Sequence, residues 1–317
     1  MILITGCAGY IGSELCKKFS LLNIEYVGVD NLSYSYKNNI FDKKKFFKCC
    51  ISNEKKISSI INKFKINTVI HAAAFAYVNE GELNKKKYYI NNVLKTKKFI
   101  SIVSKYTIKQ FYFFSSSNIY TNSKNKFLET KTPNPKNYYG TTKFIIEDFL
   151  YKKKTNFENV IILRLFNIIG LTKKFKPMNI KGFKYQRLLF KIYFNLKRKV
   201  PIILNFYRKL DKIIFPTRDF LDISDLTSLI TKLLKKTQKK SFSIFNIGKG
   251  KSYSLDKILK LIELISNQKL LVRYKKLPDN EYLDTLASIK KIKKIVNWKP
   301  KVSLIKSIKS YEKYLDI

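Results

Sequence analysis

The first half of the chain alternates short apolar runs with longer amphipathic segments. The apolar runs are rich in β-branched and aromatic residues, and they predict strands at residues 2–5, 26–30, 68–73, 110–115 and 160–166. Apolar positions at helical spacing predict helices at residues 13–22, 56–64, 88–106 and 139–153. Because strands that alternate with helices are typical of βαβ units, the pattern indicates an α/β protein with a doubly wound parallel sheet.

The alternation weakens after residue 170, and a Lys- and Phe-rich stretch to about residue 215 predicts a cap over a ligand. A strand at 242–247, a helix over 254–266 and a helical pattern over 288–296 follow. With 317 residues, the chain is long enough for a large core and a cleft between two lobes. We predict that residues 1–168 with about 218–248 form the sheet domain, and that about 169–217 and 249–317 form a smaller C-terminal substrate-binding lobe.

The formal net charge of +42 would ordinarily favour a nucleic-acid partner. The excess is almost entirely lysine, spread along the whole chain, so we interpret it as a solvated surface and predict no specific nucleic-acid partner. The apolar runs are too short for a membrane helix, and the first strand has no leader in front of it, so we expect a cytoplasmic protein without a membrane partner. The four cysteines and the single histidine lack ligand spacing, so no metal site is predicted.

Three glycines, Gly6, Gly9 and Gly12, lie between the first predicted strand and the first predicted helix. Without side chains at these positions, a pyrophosphate could approach the backbone N–H groups and the N-terminus of the helix. Asp30 ends the second strand, where its carboxylate could accept hydrogen bonds from a ribose and would repel a 2′-phosphate. The motif therefore predicts a Rossmann-like dinucleotide site that favours NAD over NADP, although Asp30 could instead simply open a turn.

Tyr139 and Lys143 lie four residues apart and hence on one face of a predicted helix. A nearby ammonium and a positively charged nicotinamide ring would favour the phenolate and lower the pKa of Tyr139, so this phenol could act as a base near neutral pH. The preceding strand ends in three serines, of which Ser116 could supply a hydroxyl beside the phenol.

The glycine turn, the serines at the strand end and the Tyr-x-x-x-Lys pair resemble the extended short-chain dehydrogenase/reductase family, and within it the UDP-glucose 4-epimerase group. Further segments agree with the resemblance: Asp-Asn-Leu at 30–32, Val-Ile-His-Ala-Ala-Ala at 69–74, Tyr-Tyr-Ile-Asn-Asn-Val at 88–93, Leu-Arg-Leu-Phe-Asn at 163–167 and Arg-Asp-Phe-Leu-Asp-Ile at 218–223.

The resemblance implies a role for each matching position. Tyr139 would be the general base and acid, Lys143 would hold the nicotinamide ribose, and Ser116 would bond the reacting oxygen. The residues implied to contact the NAD cofactor are Gly6, Gly9, Tyr10, Ile11, Gly12, Asp30, Asn31, Cys50, Ile51, Ala72, Ala73, Ala74, Asn91, Tyr139, Lys143 and Phe166. The residues implied to contact a nucleotide-sugar, most readily a UDP-sugar, are Ser116, Tyr139, Asn167 and Arg218.

Several positions differ from the pattern of the resembled group, among them Thr121, the region 202–217 and Lys276. Cys50 stands where these epimerases usually carry an aspartate for the adenine amino group, and Ala76 stands where they have a lysine that contacts the cofactor. The resemblance also implies a homodimer, formed through the helices that begin near residues 88 and 139, with a purely intramolecular packing of these helices as the alternative.

The implied reaction is epimerisation of a UDP-hexose at C4 through a transient 4-keto sugar, without net redox change. A 4,6-dehydratase carries Asp-Glu after its active-site hydroxyl residue, whereas this chain has Ser117 and Asn118, which cannot act as carboxylic acids. Another nucleotide-sugar-modifying activity, a 4-reductase or a dehydratase, stays open. So does a non-catalytic Rossmann protein that binds RNA or another polyanion.

Overall fold

Residues 1–121, 126–153, 155–177, 179–180, 183–184, 187–209, 212–236, 241–279 and 281–315 are described by the computed structural model. The strands are β1 (Ile2–Thr5), β2 (Tyr26–Asp30), β3 (Phe46–Lys48), β4 (Thr68–His71), β5 (Gln110–Ser116), β6 (Asn159–Leu165), β7 (Asn167–Ile169), β8 (Asn179–Ile180), β9 (Phe183–Lys184), β10 (Ile202–Lys209), β11 (Lys212–Ile214), β12 (Thr217–Asp222), β13 (Ser241–Ile247), β14 (Ser252–Ser254) and β15 (Val272–Lys276). The helices are α1 (Tyr10–Leu21), α2 (Glu54–Phe64), α3 (Val78–Leu83), α4 (Lys85–Tyr88), α5 (Lys95–Val103), α6 (Tyr138–Lys152), α7 (Leu188–Lys197), α8 (Ile223–Leu234), α9 (Leu255–Ser266), α10 (Lys290–Val296) and α11 (Leu304–Tyr314).

Seven of these strands form one sheet in the order β13–β6–β5–β4–β1–β2–β3, and every neighbouring pair is parallel. The order runs outward in both directions from β1, which confirms the predicted doubly wound sheet. The strands β1, β2, β4 and β6 are buried along their whole length, as expected when helices cover both faces of a parallel sheet. In such a sheet a ligand crevice opens at the carboxyl ends of the strands, where the winding direction changes between β1 and β4.

Two apolar cores lie against the large sheet. One contains Leu15 and Phe19 of α1 with Leu229 of α8, and the other contains Ile57 of α2 with Phe99 of α5. The amphipathic spacing that predicted α1, α2 and α5 therefore reports the faces that these helices bury, whereas α8 was not predicted.

The helix predicted over 88–106 is not regular. Between α4 and α5 the segment Tyr89–Leu94 forms a π-helical turn. Within it, the Asn92 side chain accepts a hydrogen bond from the Phe75 N–H at 2.8 Å and donates to the Phe75 carbonyl at 2.9 Å and to the Thr142 hydroxyl at 3.2 Å. Hydrophobic spacing cannot reveal such a turn, because it is stabilised by contacts with distant residues; π-turns of this kind are frequent at functional sites.

The smaller lobe is formed around a third core that joins α7, α9 and α11 to the strands β10 and β12. The stretch after residue 170, in which the alternation weakens, contains α7 and β10, and several of its residues lie outside the described ones. Leu189, Phe190 and Ile192 of α7 are buried in the third core.

No helix in the part of the chain that the structure describes is long and apolar enough to span a bilayer. The same residues contain no group of three His, Cys, Asp or Glu side chains that could hold a metal ion.

Candidate active site

A cavity of about 550 Å³ opens at the carboxyl ends of the strands, between the large sheet and the smaller lobe. Every residue to which the sequence assigned a role lines it: Gly6, Gly9, Tyr10, Ile11, Gly12, Asp30, Asn31, Cys50, Ile51, Ala72, Ala73, Ala74, Asn91, Ser116, Tyr139, Lys143, Phe166, Asn167 and Arg218. The structure thus brings together residues that are more than 200 positions apart in the chain.

The glycine turn leads from β1 into α1 at one end of this cavity. Gly6 has φ +71°, and a Cβ at this position would lie 2.8 Å from the Cα of Ala73, so only glycine fits there without strain. The turn closes through the Gly9 N–H, which donates to the Gly6 carbonyl at 3.0 Å. Because no side chain covers the N-terminus of α1, its free N–H groups can approach an anionic ligand, and the turn fits the pyrophosphate of a dinucleotide.

Asp30 lies at the end of β2 and is buried. One carboxylate oxygen accepts a hydrogen bond from the Ala8 N–H at 3.1 Å, and the other accepts from the Leu32 N–H at 2.8 Å. Asp30 therefore does open a turn, which is the alternative role that the sequence left open. It does not exclude a ligand, since each carboxylate oxygen can accept a second hydrogen bond and Asp30 lines the cavity.

The N-terminal part of α6 positions Tyr139 and Lys143. The Asn137 side chain caps the helix by accepting from the Gly140 N–H at 2.8 Å. Lys143 donates from Nζ to the Phe114 carbonyl at 2.7 Å, and its Nζ lies 5.9 Å from the centroid of the Tyr139 ring. Both residues are buried at the cavity wall, with Ser116 beside them at the end of β5.

The electrostatics of Tyr139 differ from the sequence-based expectation. Among the protein's own groups, burial has the largest effect and raises the pKa of Tyr139; the charge of Arg187 and then the Ser116 hydroxyl oppose it. Burial also lowers the pKa of Lys143 to about 7. Lys143 is not among the groups that shift the pKa of Tyr139 in the protein alone, and its ammonium donates to the Phe114 carbonyl. The expected acidic phenol, which includes a bound nicotinamide, stays a prediction.

Arg218 on β12 and Asn167 on β7 line the cavity from the three-stranded sheet β14–β12–β7. Arg218 donates from Nη1 to the Thr217 carbonyl at 2.9 Å and to the Leu283 carbonyl at 3.2 Å, and its Nη2 lies 3.9 Å from a carboxylate oxygen of Glu281. Asn167 donates to the Asp219 carbonyl at 3.3 Å. These contacts hold both polar side chains at the wall.

Three charged residues of the cavity were missed by the sequence analysis. Arg187 precedes α7, Lys191 lies within α7, and Glu281 lies beside Arg218. A signal for Arg187 was available in the composition, because the chain has only six arginines among its 64 basic residues, so each arginine is a candidate for a position where lysine would not serve. Glu281 had no comparable signal.

Comparison with known proteins identifies the family. The model of the NAD dependent epimerase/dehydratase family matches residues 2–248, and the chain belongs to that family. The predicted cofactor, NAD, is the one on which this family depends.

Individual relatives are distant. The chain is 27% identical to UDP-glucose 4-epimerase of Bacillus subtilis over 322 residues, which cover 96% of this chain and 93% of the relative. It is 26% identical to putative UDP-arabinose 4-epimerase 2 of Arabidopsis thaliana over 317 residues, which cover 95% of this chain and 76% of the relative.

Solved structures share the fold. The structure of UDP-glucose 4-epimerase from Brucella ovis in complex with NAD superposes with a TM-score of 0.87 at 23% identity, covering 97% of this chain and 95% of that one. UDP-glucuronic acid 4-epimerase from Bacillus cereus, in complex with UDP-glucuronic acid and NAD, gives a TM-score of 0.86 at 23% identity, covering 99% and 98%. These likenesses confirm the Rossmann-like α/β architecture.

Proposed function

We propose that this protein epimerises a UDP-linked sugar at C4, using NAD as a resident cofactor. The observation that carries the proposal is the convergence of Tyr139, Ser116 and Lys143 on the wall of the cavity into which the glycine turn opens. Relatives named for UDP-glucose and UDP-arabinose 4-epimerisation match nearly the whole chain, which supports the reaction type without selecting the sugar.

NAD would bind along the glycine turn and the carboxyl ends of β2, β4 and β5. The residues that would hold it are Gly6, Gly9, Tyr10, Ile11, Gly12, Asp30, Asn31, Cys50, Ile51, Ala72, Ala73, Ala74, Asn91, Tyr139, Lys143 and Phe166. When bound, NAD supplies the oxidant that takes hydride from C4 and returns it to the ketone. The proposed cofactor domain comprises residues 1–168 with about 218–248, and the proposed substrate lobe comprises about 169–217 and 249–317.

Tyr139 would take the proton of the 4-hydroxyl and later return it. Its phenol needs a lower pKa for this than burial alone gives it, and the charges of Arg187 and of a bound nicotinamide would act in that direction. Ser116 would bond the reacting oxygen. Lys143, held by the Phe114 carbonyl, has two further N–H donors for the hydroxyls of a ribose.

The nucleotide-sugar would occupy the part of the cavity near the smaller lobe. Asn167 would bond the sugar-nucleotide, and Arg218 would pair with its diphosphate, since a guanidinium can donate two parallel hydrogen bonds to a phosphate. Arg218 is already oriented by the Thr217 and Leu283 carbonyls, so little side-chain freedom would be lost on binding.

The geometry favours epimerisation over dehydration. Elimination of water requires an acid beside the departing hydroxyl. Asn118 instead donates from its amide to the Ser116 hydroxyl at 3.0 Å and accepts from Asn137 at 3.0 Å, so it holds Ser116 in place and carries no transferable proton.

We further propose a cytoplasmic homodimer formed through α5 and α6. A surface groove between these helices is lined by both charged and apolar side chains: Lys97, Phe144, Ile145, Asp148, Phe149, Lys152 and Lys153. Apolar side chains exposed in such a groove favour burial by a second copy.

Product analysis tests the proposed function. The purified protein is incubated with UDP-glucose, UDP-N-acetylglucosamine, UDP-arabinose and UDP-glucuronic acid, and the configuration of the products is read by NMR. We expect a C4 epimer of at least one sugar to reach equilibrium without consumption of NAD. A sugar product that has lost a molecule of water, or one that has been reduced, would contradict epimerisation. Binding of random RNA at physiological salt, with no cofactor and no turnover, would favour the non-catalytic alternative.

A further inference from the structure

The six arginines of this lysine-rich chain occupy two kinds of position. Arg198, Arg208 and Arg273 are exposed, whereas Arg164, Arg187 and Arg218 are not. Arg164 is paired with Glu147 in the interior, and Arg218 lies near Glu281 at the cavity. Arg187 also lines the cavity, but within the described residues no carboxylate lies within ion-pair distance of it. A partly buried arginine without an anionic partner is unusual and indicates a site for an external anion.

The local structure around Arg187 makes the charge more unfavourable still. Arg187 is the N-cap residue of α7, whose first turn has no acidic residue and receives no hydrogen bond from a capping side chain. The N-terminus of a helix carries a partial positive charge, so a guanidinium there is repelled by the helix unless an anion lies between them. Leu188 and Leu189, which begin the helix, also line the cavity. The positive charge of the guanidinium and that of the helix N-terminus therefore both face the cavity.

The Tyr10 ring locates the guanidinium within the cavity, because the guanidinium carbon lies 5.0 Å from the centroid of that ring. The charge of Arg187 also opposes the burial-driven rise in the pKa of Tyr10, Tyr77, Tyr139 and Tyr311. One of these four, Tyr139, is the proposed catalytic base.

We propose that Arg187 binds an anionic group of the nucleotide-sugar within this cavity. The inference rests on the proposed function, which supplies the nucleotide-sugar. Of the other cations that line the cavity, Lys143 donates to the Phe114 carbonyl and Arg218 donates to two carbonyls beside Glu281, whereas Lys191 is exposed. An exposed ammonium is solvated by water, so Arg187 is the cavity cation whose partly buried charge most needs an anion. Two groups have the required charge: the phosphate linked directly to the sugar, and a carboxylate on the sugar ring. Both are planar or forked acceptors that a guanidinium can bond with two N–H groups.

Binding measurements test the inference without requiring turnover. Dissociation constants for UDP, UDP-glucose, UDP-glucuronic acid and NAD are determined by calorimetry for the wild type and for Arg187→Leu, Arg187→Lys and Arg198→Leu. Arg198 is the matched control, because it is an exposed arginine at the opposite end of the same helix. Thermal unfolding verifies that each variant is folded. If Arg187→Leu is unstable, Arg187→Lys, which keeps the positive charge, is used in its place.

We expect Arg187→Leu to weaken binding of UDP-glucuronic acid by about 10- to 100-fold, with a smaller loss in Arg187→Lys and none in Arg198→Leu. An equal loss for UDP and UDP-glucose identifies the phosphate as the bound group, and a loss confined to UDP-glucuronic acid identifies the sugar carboxylate. Unchanged affinities in Arg187→Leu, or a loss confined to NAD, would overturn the inference. If the wild type bound these ligands but did not epimerise them, the proposed function would fail while the result for Arg187 stood; if it bound none of them, both would fail.

Discussion

Arg164 on β6 and Glu147 on α6 form a buried ion pair with three hydrogen bonds, two from Nε at 3.2 Å and one from Nη2 at 2.7 Å. Arg164 also donates from Nη1 to the Tyr120 hydroxyl at 2.8 Å. The pair therefore joins the helix that carries Tyr139 and Lys143 to the central sheet. The ion pair thus fixes the orientation of α6 on the sheet.

Removing one member of this pair is expected to destabilise the fold strongly. Arg164→Leu should lower the free energy of unfolding by about 3–5 kcal/mol, because it leaves the Glu147 carboxylate buried without a partner. The double variant Arg164→Leu/Glu147→Leu should lose less. Urea unfolding of the three proteins measures this. Lys105→Ala is the control, since it removes only an exposed pair with Glu54 and should change stability by less than about 1 kcal/mol. A double variant less stable than the single one would contradict the explanation.

Gly140 sets the distance between α6 and the turn after β5. A Cβ at this position would overlap the Asn118 carbonyl oxygen and lie 3.1 Å from the Cβ of Pro135. Gly140→Ala should therefore displace Tyr139 from Ser116 and lower kcat by about 100-fold, as expected for a misplacement near 1 Å. Steady-state kinetics on protein whose folding is verified by circular dichroism measures the effect. Thr141→Ala, one position further on, serves as control, and equal rates for the two variants would show that the close approach does not position the phenol.

His71 lies in the interior between the Thr5 hydroxyl at 2.8 Å and the Thr96 hydroxyl at 3.3 Å. Burial, with a smaller effect of Lys143, lowers its pKa to about 3, below the ordinary value of 6.5. Between these values the unfolded chain binds a proton that the folded protein does not, so stability is fully present above pH 6.5 and is lost as the pH falls towards 3. The slope should approach about 1.4 kcal/mol per pH unit.

Unfolding of the wild type and His71→Gln by urea between pH 4.5 and 7.5 measures this slope. The difference between the two curves should grow as the pH decreases below 6.5, with the variant losing less stability. Asp219 titrates in the same range with the opposite sign, because burial raises its pKa to about 6 and the folded protein therefore gains stability as the pH falls; taking the difference removes this contribution. Parallel curves would mean that His71 is not the neutral buried group described here.

The sheet and the cofactor side of the site could be predicted from sequence because their signals are local. Apart from β3, each strand of the first half is a short apolar run, and Gly9 and Gly12 report backbone approaches to Gly6 within a single turn. The spacing of Tyr139 and Lys143 is likewise fixed by one helix. For such features, a few adjacent residues determine the geometry.

Other features depend on tertiary contacts and could not be read from the sequence pattern. Arg187 lies in a stretch without regular alternation, and its place beside Tyr139 follows from how the smaller lobe packs on the sheet. The raised pKa of Tyr139 depends on its burial, which spacing does not determine. The π-turn Tyr89–Leu94 depends on the bonds of Asn92 to Phe75 and Thr142.

The central claim, that the Tyr139 hydroxyl moves the proton of the sugar, is tested most directly by comparing Tyr139→Phe with Tyr138→Phe. The two variants remove one phenolic oxygen each at adjacent positions, but Tyr138 does not line the cavity. We expect Tyr139→Phe to retain bound NAD, quantified after denaturation, and to lose about 100- to 10,000-fold in kcat, while Tyr138→Phe remains close to wild type. A Tyr139→Phe variant that binds NAD and turns over at the wild-type rate would contradict the account.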